Sequence, residues 1–473
     1  MVRALIGSVR PAWAPILTTY FCYGASTATA VADVYFQKEA LGLQPAEAAA
    51  IAFWLGLPWS MKMVVGVASD VFPIAGSRRL SYLLLGSAAS LAGYLLLATV
   101  VGTRGAYLGA MLLVTVGFMV QDVVADALSV ETARDDEELG QIQALGRVAL
   151  LAGSISVGYL SGWLAATVGP RATFGLAAVL PLLVAASALL APREVARPPR
   201  PTGAGPADPL GGGRARRVLV VGLAYAALGA ALQVLAVPYA QEIVLIVSLA
   251  LLGALLREVG ISREVALAGV VIFLFRATPV VGQGYTFWAI DRLGFDERFL
   301  GLLAQVGAVL SLVGLLVFRR VIVRRPVSFT LFWVVIAGTL LALPNIGLFY
   351  GLHEWLGVSA RTLALIDTTI SAPLSQLAMV PMLILIARAA PRGAEATVFA
   401  TMASLMNLAL SASQLFTQYL NDLFAVTQQD YSNLGRLMIT VALLGLLPLL
   451  ALPLLWRQER APAAPAPAVG RPA

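Results

Sequence analysis

Four ionisable side chains, Lys62, Asp122, Asp126 and Arg276, stand inside long apolar stretches of this chain, and Arg147 stands near the start of another. An ionisable group in hydrocarbon costs on the order of 2.5 to 3.5 kcal/mol or more, so one that persists is expected to face an interior, find a partner and mark a pathway. Asp122 and Asp126 are four residues apart and so share one helix face. A carboxylate there can carry a proton or accept paired N–H donors, and a guanidinium such as Arg276 can grip a carboxylate with two parallel hydrogen bonds. Other chemistry is excluded by what the chain lacks. One cysteine, Cys22, rules out an internal disulfide, and one histidine, His353, cannot build a zinc or haem site alone. No His, Cys or Ser constellation stands at catalytic spacing and no GxxxxGK[ST] phosphate loop occurs. An enzyme, an ATP-driven machine, a metal site and a cofactor are therefore not expected.

The elements that must hold these charges follow from composition. Of 473 residues 59% are hydrophobic and only 12% charged, against about 25% charged in an average soluble protein. A soluble globule could not cover its surface with that mixture. The mean hydropathy of +0.85 reflects repeated runs long enough to cross about 30 Å of hydrocarbon as helices. Six lie at residues 12–35, 46–67, 80–101, 107–130, 142–168 and 173–190, and six more at 265–289, 300–323, 328–349, 362–387, 396–419 and 434–455. These are spans 1 to 12 of an all-α polytopic membrane protein.

A Pro-, Gly- and Arg-rich linker at 192–217 separates the N-terminal bundle, residues 1–191, from the rest. An apolar segment at 218–257, interrupted at Pro238, Gln241 and Glu242, reads as an inserted two-helix hairpin. The C-terminal bundle then covers 258–457, and a disordered Pro/Ala-rich tail 458–473. Arginines and lysines collect on the loops that share a side with the N-terminus, among them Arg78, Arg79, Arg193, Arg197, Arg319, Arg320, Arg324, Arg325 and Arg457. Cytoplasmic loops retain basic residues, so both termini are expected in the cytoplasm. The hairpin must then cross twice or not at all. Only Lys38 and Lys62 of 32 basic residues are lysines; with abundant Ala, Gly and Pro this suggests a GC-rich bacterial genome and hence an inner-membrane protein. The N-terminus lacks the short apolar run and small-residue cleavage site of a signal peptide, so its retention is expected.

The halves echo each other. "EALGLQPAEAA" (39–49) matches "DRLGFDERFLG" (291–301), and "TARDDEELGQIQALG" (132–146) matches "IARAAPRGAEATVFA" (386–400) at nearly the same separation. Two parallel six-helix repeats with a midplane site between them are the arrangement of major facilitator transporters.

The loop after span 2, "LPWSMKMVVGVASDVFPIAGSRRLSYLLLGS" (57–87), resembles the extended loop motif of the folate/biopterin transporter family, a branch of the major facilitator superfamily. "QDVVADALSVETAR" (121–134), "FLFRATPVVGQGYTFW" (273–288) and "ATVFATMASLMNLA" (396–409) are similar to that family's fourth, seventh and eleventh helices. The resemblance implies a secondary transporter of folate, a pterin or a related flat anionic metabolite, working by alternating access and driven by protons. A small-molecule substrate, protons and the lipid bilayer are the expected partners, nucleic acid is not, and a monomer is expected. A non-transporting membrane assembly or pigment-delivery factor on the same fold is the alternative, since fold alone does not decide function.

The resemblance also places spans 4 and 7 on a central cavity. Counting inward at about 1.5 Å per residue from the charged ends, Asp122 lies about 18 Å and Arg276 about 20 Å deep. They are expected to face each other across the substrate, the carboxylate on a 2-amino-4-oxo pterin edge and the guanidinium on an anionic group, with Tyr285 and Trp288 stacking on the flat ring. Their bland alternative is mutual neutralisation as a gate. Lys62, Asp126 and Arg147 form a shallower group, read either as proton-coupling and gating residues or as a static ion pair. Asp70, Arg78 and Arg79 are expected to form a cytoplasmic latch that makes and breaks between states, against a plain topogenic role for the arginines. Asp33, Lys38, Glu39 and Asp367 are read as mouth or solvated residues. Pro279 is expected to break span 7, and Gly153, Ser154, Ser156 and Gly158 to allow close helix packing.

Overall fold

Backbone amides and carbonyls find no water in a bilayer, so an apolar run satisfies them internally as helix. A computed structural model describes residues 9–192, 212–259, 262–324, 326–375 and 395–460, with Val195, Met382, Leu385 and Ile386. Among them are many helices and no β-strand. Most of the linker with Arg193 and Arg197, Arg325, Pro381, the tail from residue 461 and much of the 386–400 repeat marker lie outside the described residues, as do the side chains of Arg319, Arg320, Arg324 and Arg457.

In the first half α1 (Ala14–Ala25), a tight turn at Ser26–Thr29 and α2 (Ala30–Tyr35) make span 1, which ends in a wider turn at Phe36–Ala40. Span 2 is α3 (Pro45–Ser60) plus α4 (Lys62–Val71), followed by α5 (Leu80–Thr99) and α6 (Arg104–Thr132). Spans 5 and 6 are carried by α7 (Asp136–Ala177) and α8 (Val179–Leu189). They separate where Gly169 takes φ +80° and Pro170 follows, a left-handed residue no side chain would favour. Helix starts are fixed by side chains that satisfy orphan amides. Asp135 accepts from the Glu138 N–H at 2.7 Å, and Gln44 and Glu47 form a reciprocal cap ahead of Pro45.

The hairpin consists of α9 (Gly212–Val234) and α10 (Ala240–Val259), and each arm is long and apolar enough to cross a membrane. In the second half come α11 (Arg263–Arg276), α12 (Gln283–Leu293), α13 (Glu297–Arg324), α14 (Val327–Phe349), the short α15 (Leu352–Trp355), α16 (Ala360–Ser375), α17 (Glu395–Leu423), α18 (Leu434–Leu444) and α19 (Leu452–Arg460). Nine stretches of the described residues have the length and apolarity of a membrane span. Twelve spans and a hairpin were expected. The difference arises because spans 1 and 7 are broken into shorter pieces, spans 5 and 6 run on from one another, and spans 10 and 11 adjoin residues outside the described set.

The two halves meet where α3 packs on α17 and α7 on α13. At the second contact Gly162 and Gly301 lie backbone to backbone: a Cβ on Gly162 would sit 2.0 Å from the Glu297 carbonyl oxygen. Of the small residues singled out in span 5 the two glycines pack closely, Gly153 against the Phe21 carbonyl and Gly158 against Gln305, whereas Ser156 is exposed. Trp13 is buried with Leu80, Leu128 and Ile142, and Leu452 with Val265 and Val327. Trp13 and Leu452 therefore lie at one end of the molecule, called the terminal end, and Lys38 and Asp291 at the other, the far end.

Candidate functional site

Span 2 is not one helix. Pro58 lies three residues before Met61, whose backbone leaves the helix at φ −102°, ψ 11°, so Lys62 opens a new helix. That break aims the Lys62 ammonium at the carboxylate of Asp122 on α6, with which it forms an ion pair. The Lys62 Nζ also lies 4.9 Å from the centre of the Trp59 ring, within cation–π range. Asp126, one turn along α6, accepts a hydrogen bond from the Tyr20 hydroxyl. The expected grouping gains a member: Lys62 pairs with the deeper Asp122 and shares one cavity with Asp126.

These groups line a cavity of about 570 Å³ whose wall also includes Tyr23, Arg147 and Asn407. Tyr23 and Trp59 stand with ring centres 5.4 Å apart. The Asn407 amide of the second half donates to the Trp59 carbonyl at 3.0 Å, so the wall is built from both halves. Arg147 makes no hydrogen bond or ion pair among the described residues, which leaves a cation available to a solute.

Span 7 is broken as Pro279 suggested. The α11 helix stops at Arg276, residues 277–282 are not helical, and Gly282 takes φ +69° before α12 begins. Arg276 thus occupies the C-terminal end of a half-helix, where the helix dipole favours a cation. It lines a second cavity of about 580 Å³ with Tyr285, Asn345 and Thr339. Among the described residues its Nε is buried without a hydrogen-bond partner, and so is the Thr339 hydroxyl. The Tyr285 hydroxyl donates to Asn345 Oδ1 at 2.7 Å, and Asn345 Nδ2 donates to Asp367 at 2.9 Å. Asp367, read as a mouth or solvated residue, is the half-buried end of a polar chain.

The expectation that Asp122 and Arg276 confront each other is therefore modified. They line adjoining cavities that share Leu410, and the partner of Asp122 is Lys62. Trp288 does not line either cavity. It is buried in the core behind Tyr285, its ring centre 5.2 Å from that of Phe349.

At the terminal end Arg79 binds Asp70 at 2.5 Å and Glu131 at 2.6 Å, and donates to the Ser69 hydroxyl at 2.6 Å. Burial works against the charge, but the two carboxylates outweigh it and hold the guanidinium above its usual range. Arg78 is exposed and joins no partner among the described residues, so the arrangement is Asp70, Arg79 and Glu131 rather than Asp70 with both arginines. The far end is closed by contacts between the halves. Lys38, read as a mouth or solvated residue, stands at this mouth but is buried, and pairs with Asp291 at 2.7 Å. Tyr431 donates to the same aspartate at 2.7 Å, the Gln428 N–H donates to Gln44 at 2.9 Å, and Tyr35 donates to the Phe295 carbonyl at 3.0 Å.

Sequence reasoning missed Tyr20, Tyr23, Trp59, Asn345, Asn407 and Glu131. Trp59, Asn407 and Glu131 all lie within the quoted motifs, which was the available signal; uncharged polar residues such as Asn345 carry none.

Against known proteins, a family model described as the BT1 family matches residues 24–463. The chain is 30% identical over 456 residues to a folate-biopterin transporter of Synechocystis sp., covering 94% of this chain and 82% of the relative. It is 22% identical to folate transporter 2 of Plasmodium falciparum over 92% of this chain and 86% of the relative. Among solved structures, the POT family transporter PepTSo superposes with a TM-score of 0.68 at 14% identity, over 96% of this chain and 99% of that one. The nucleoside transporter NupG does so with 0.65 at 11%, over 94% and 99%. At such identities these two likenesses show the fold alone, that of the major facilitator transporters.

Proposed function

The chain belongs to the BT1 family, whose members are membrane transporters and not enzymes, and from this premise we propose that it is a proton-coupled secondary transporter of folate or a pterin that works by alternating access. Supporting the substrate class is the pair of adjoining cavities, one lined by two carboxylates, two cations and three aromatic rings, the other by a guanidinium whose Nε has no hydrogen-bond partner among the described residues. In this reading the flat ring packs against the aromatic wall of Tyr23 and Trp59, and its 2-amino-4-oxo edge competes with Lys62 for the Asp122 carboxylate. An anionic tail reaches past Leu410 to Arg276, and Tyr285 borders it. Arg147 is a second anion ligand.

The observation that carries the reading is the Lys62–Asp122 ion pair in a cavity walled by both halves. Protonation of Asp122, or its capture by substrate, releases Lys62; the pair is a switch whose state depends on both ligands, which is what coupling requires. Asp126 and Tyr20 form a neighbouring proton-bearing pair. Closure at Lys38–Asp291 corresponds to a state shut at the far end, and Asp70, Arg79 and Glu131 act as the latch of the opposite end. Residues 1–191 and 258–457 are the rocking bodies. The basic loops put the terminal end in the cytoplasm, and the arginine-rich composition fits a bacterial inner membrane. The unit is a monomer.

Uptake of labelled folate, biopterin and S-adenosylmethionine into proteoliposomes under imposed proton gradients tests this, with Asp122→Asn and Arg276→Ala as variants. Folate or biopterin flux that both substitutions depress supports the site. Flux indifferent to both rejects it, flux indifferent to the pH gradient rejects proton coupling, and no flux with a co-purifying membrane partner favours an assembly role.

A further inference from the structure

A third cavity, of about 240 Å³, lies between the hairpin and the two halves and takes no part in the transport reading. Its walls come from α9 and α10, from Met61, Met63 and Val64 on the α3–α4 break and α4, and from Thr401 and Ser404 on α17. The hairpin sits tightly there: a Cβ on Gly222 would lie 2.6 Å from the Val64 methyl groups. The inner end is closed by Tyr225 and Ser248, whose hydroxyls hydrogen-bond at 2.6 Å. At the mouth stands Arg217, eight residues and therefore about 12 Å along α9 from Tyr225. Arg216, and Arg257 near the end of α10, are exposed at the same end of the hairpin, and among the described residues no acidic side chain lines the cavity.

This is less than half the volume of either midplane cavity and almost wholly apolar within, so it does not suit a folate or pterin. The outward faces of the hairpin arms are apolar and unpartnered, with Leu223 69% and Ile246 65% exposed, so the medium against them is lipid. An occupant must match an apolar slot with a cationic mouth at the level of basic loops. We propose that this cavity holds an acyl chain of an anionic glycerophospholipid whose phosphate is bound by Arg217, with Arg216 and Arg257 adding to the local field. Basic residues at a membrane surface select anionic headgroups, and the methionine side chains adapt to a flexible chain. The lipid then packs against the residues on either side of Lys62 and against α17 one turn from Asn407, so it wedges between helices of both halves.

The experiment uses the purified full chain, stripped of lipid in detergent and given phosphatidylglycerol or phosphatidylcholine. Retained lipid is counted by native mass spectrometry and thermal unfolding is followed. Wild type is expected to retain phosphatidylglycerol about tenfold better than phosphatidylcholine, with a higher Tm in its presence. Arg216→Gln with Arg217→Gln should abolish that preference, and Ala254→Trp, which fills the slot, should lower retention of both lipids. Val221→Phe serves the same end if the tryptophan variant does not fold. Equal retention of the two lipids by wild type would overturn the proposal, as would retention unchanged by filling the slot. Full displacement by glycerol phosphate alone would reduce the site to a surface anion site and reject the acyl slot.

Discussion

Lys38 Nζ lies 2.7 Å from Asp291 Oδ1, joining the end of span 1 to the end of span 7 across the far end of the molecule. The two side chains are 9% and 31% exposed, so water screens the pair only in part. Removing one partner leaves a charge half-buried among the Tyr431, Gln428 and Tyr35 contacts. A far-closed state is thereby destabilised relative to a far-open one.

Lys38→Ala is expected to shift that balance by about 1–2 kcal/mol, or roughly 5- to 30-fold in population. A cysteine placed at Ala32, which is buried beside this seal, in a Cys22→Ser background, reads the shift as faster labelling by a membrane-impermeant thiol reagent. Exchanging the charges, Lys38→Asp with Asp291→Lys, should restore slow labelling. Labelling as slow in Lys38→Ala as in the parent would remove the pair from any gating role.

The Lys62–Asp122 pair predicts a different signature. Asp122→Asn keeps the shape and a hydrogen-bond acceptor but has neither the charge nor a carboxylate that could accept a proton. Uptake at neutral pH should fall at least tenfold, and what remains should no longer respond to an imposed pH gradient. Asp126→Asn retains Asp122 and should keep a measurable response. If both variants respond to the gradient as wild type does, neither carboxylate carries the proton.

Glu131 extends the terminal-end latch beyond the motif reading. Arg79 is shared between Asp70 and Glu131 and is nearly buried, while Arg78 is exposed. Arg79→Ala and Glu131→Gln should each lower the rate of uptake severalfold with little change in KM, because they alter the balance between states and not the cavity. Arg78→Ala should leave the rate within a factor of two. An equal loss from all three would point to folding or insertion, which a Tm measured in parallel would reveal.

How far the sequence reached can be judged from these residues. Membrane-length runs, the glycine contacts of span 5 and the break at Pro279 follow from hydropathy and backbone sterics, which act locally. Charges deep in the membrane were identifiable because hydrocarbon makes each one expensive. Their pairings were not, since partners depend on the direction in which each helix points. A one-residue break at Met61 brings Lys62 to Asp122 as well as to the cavity it shares with Asp126, and an apolar stretch gives no notice of such a break beyond Pro58. Lys38 reads from the sequence as a mouth or solvated residue because its partner Asp291 is remote in the chain. Trp288, by contrast, was judged by type; its position along α12 turns it toward the core.

Gly162 and Gly301 offer a test of the packing between halves. A Cβ on Gly162 would meet the Glu297 carbonyl oxygen at 2.0 Å, and that oxygen belongs to backbone that cannot swing aside. Gly162→Val should therefore separate α7 from α13 and lower Tm by several degrees, with loss of a monodisperse peak in detergent. Gly140, whose Cβ would meet nothing within 4 Å, is the control, and Gly140→Ala should leave Tm unchanged or slightly raised by higher helix propensity. Tolerance of valine at 162 would mean that the halves do not approach there.

Arg276 separates the roles of charge and geometry. Its Nε is buried without a partner at the end of a broken helix and lines a cavity with Tyr285 and Asn345. Arg276→Lys keeps the positive charge but cannot form two parallel hydrogen bonds to a carboxylate. Charge-assisted hydrogen bonds contribute about 1.5–3 kcal/mol, so losing one raises the KM for folate roughly ten- to a hundredfold. Biopterin has no carboxylate, and its KM should change by less than about threefold in the same variant. The ratio of the two KM changes is the readout, because a variant that merely unsettles the helix would affect both substrates alike. Equal effects on folate and biopterin would assign Arg276 to holding the broken helix, not to gripping the substrate's anionic tail.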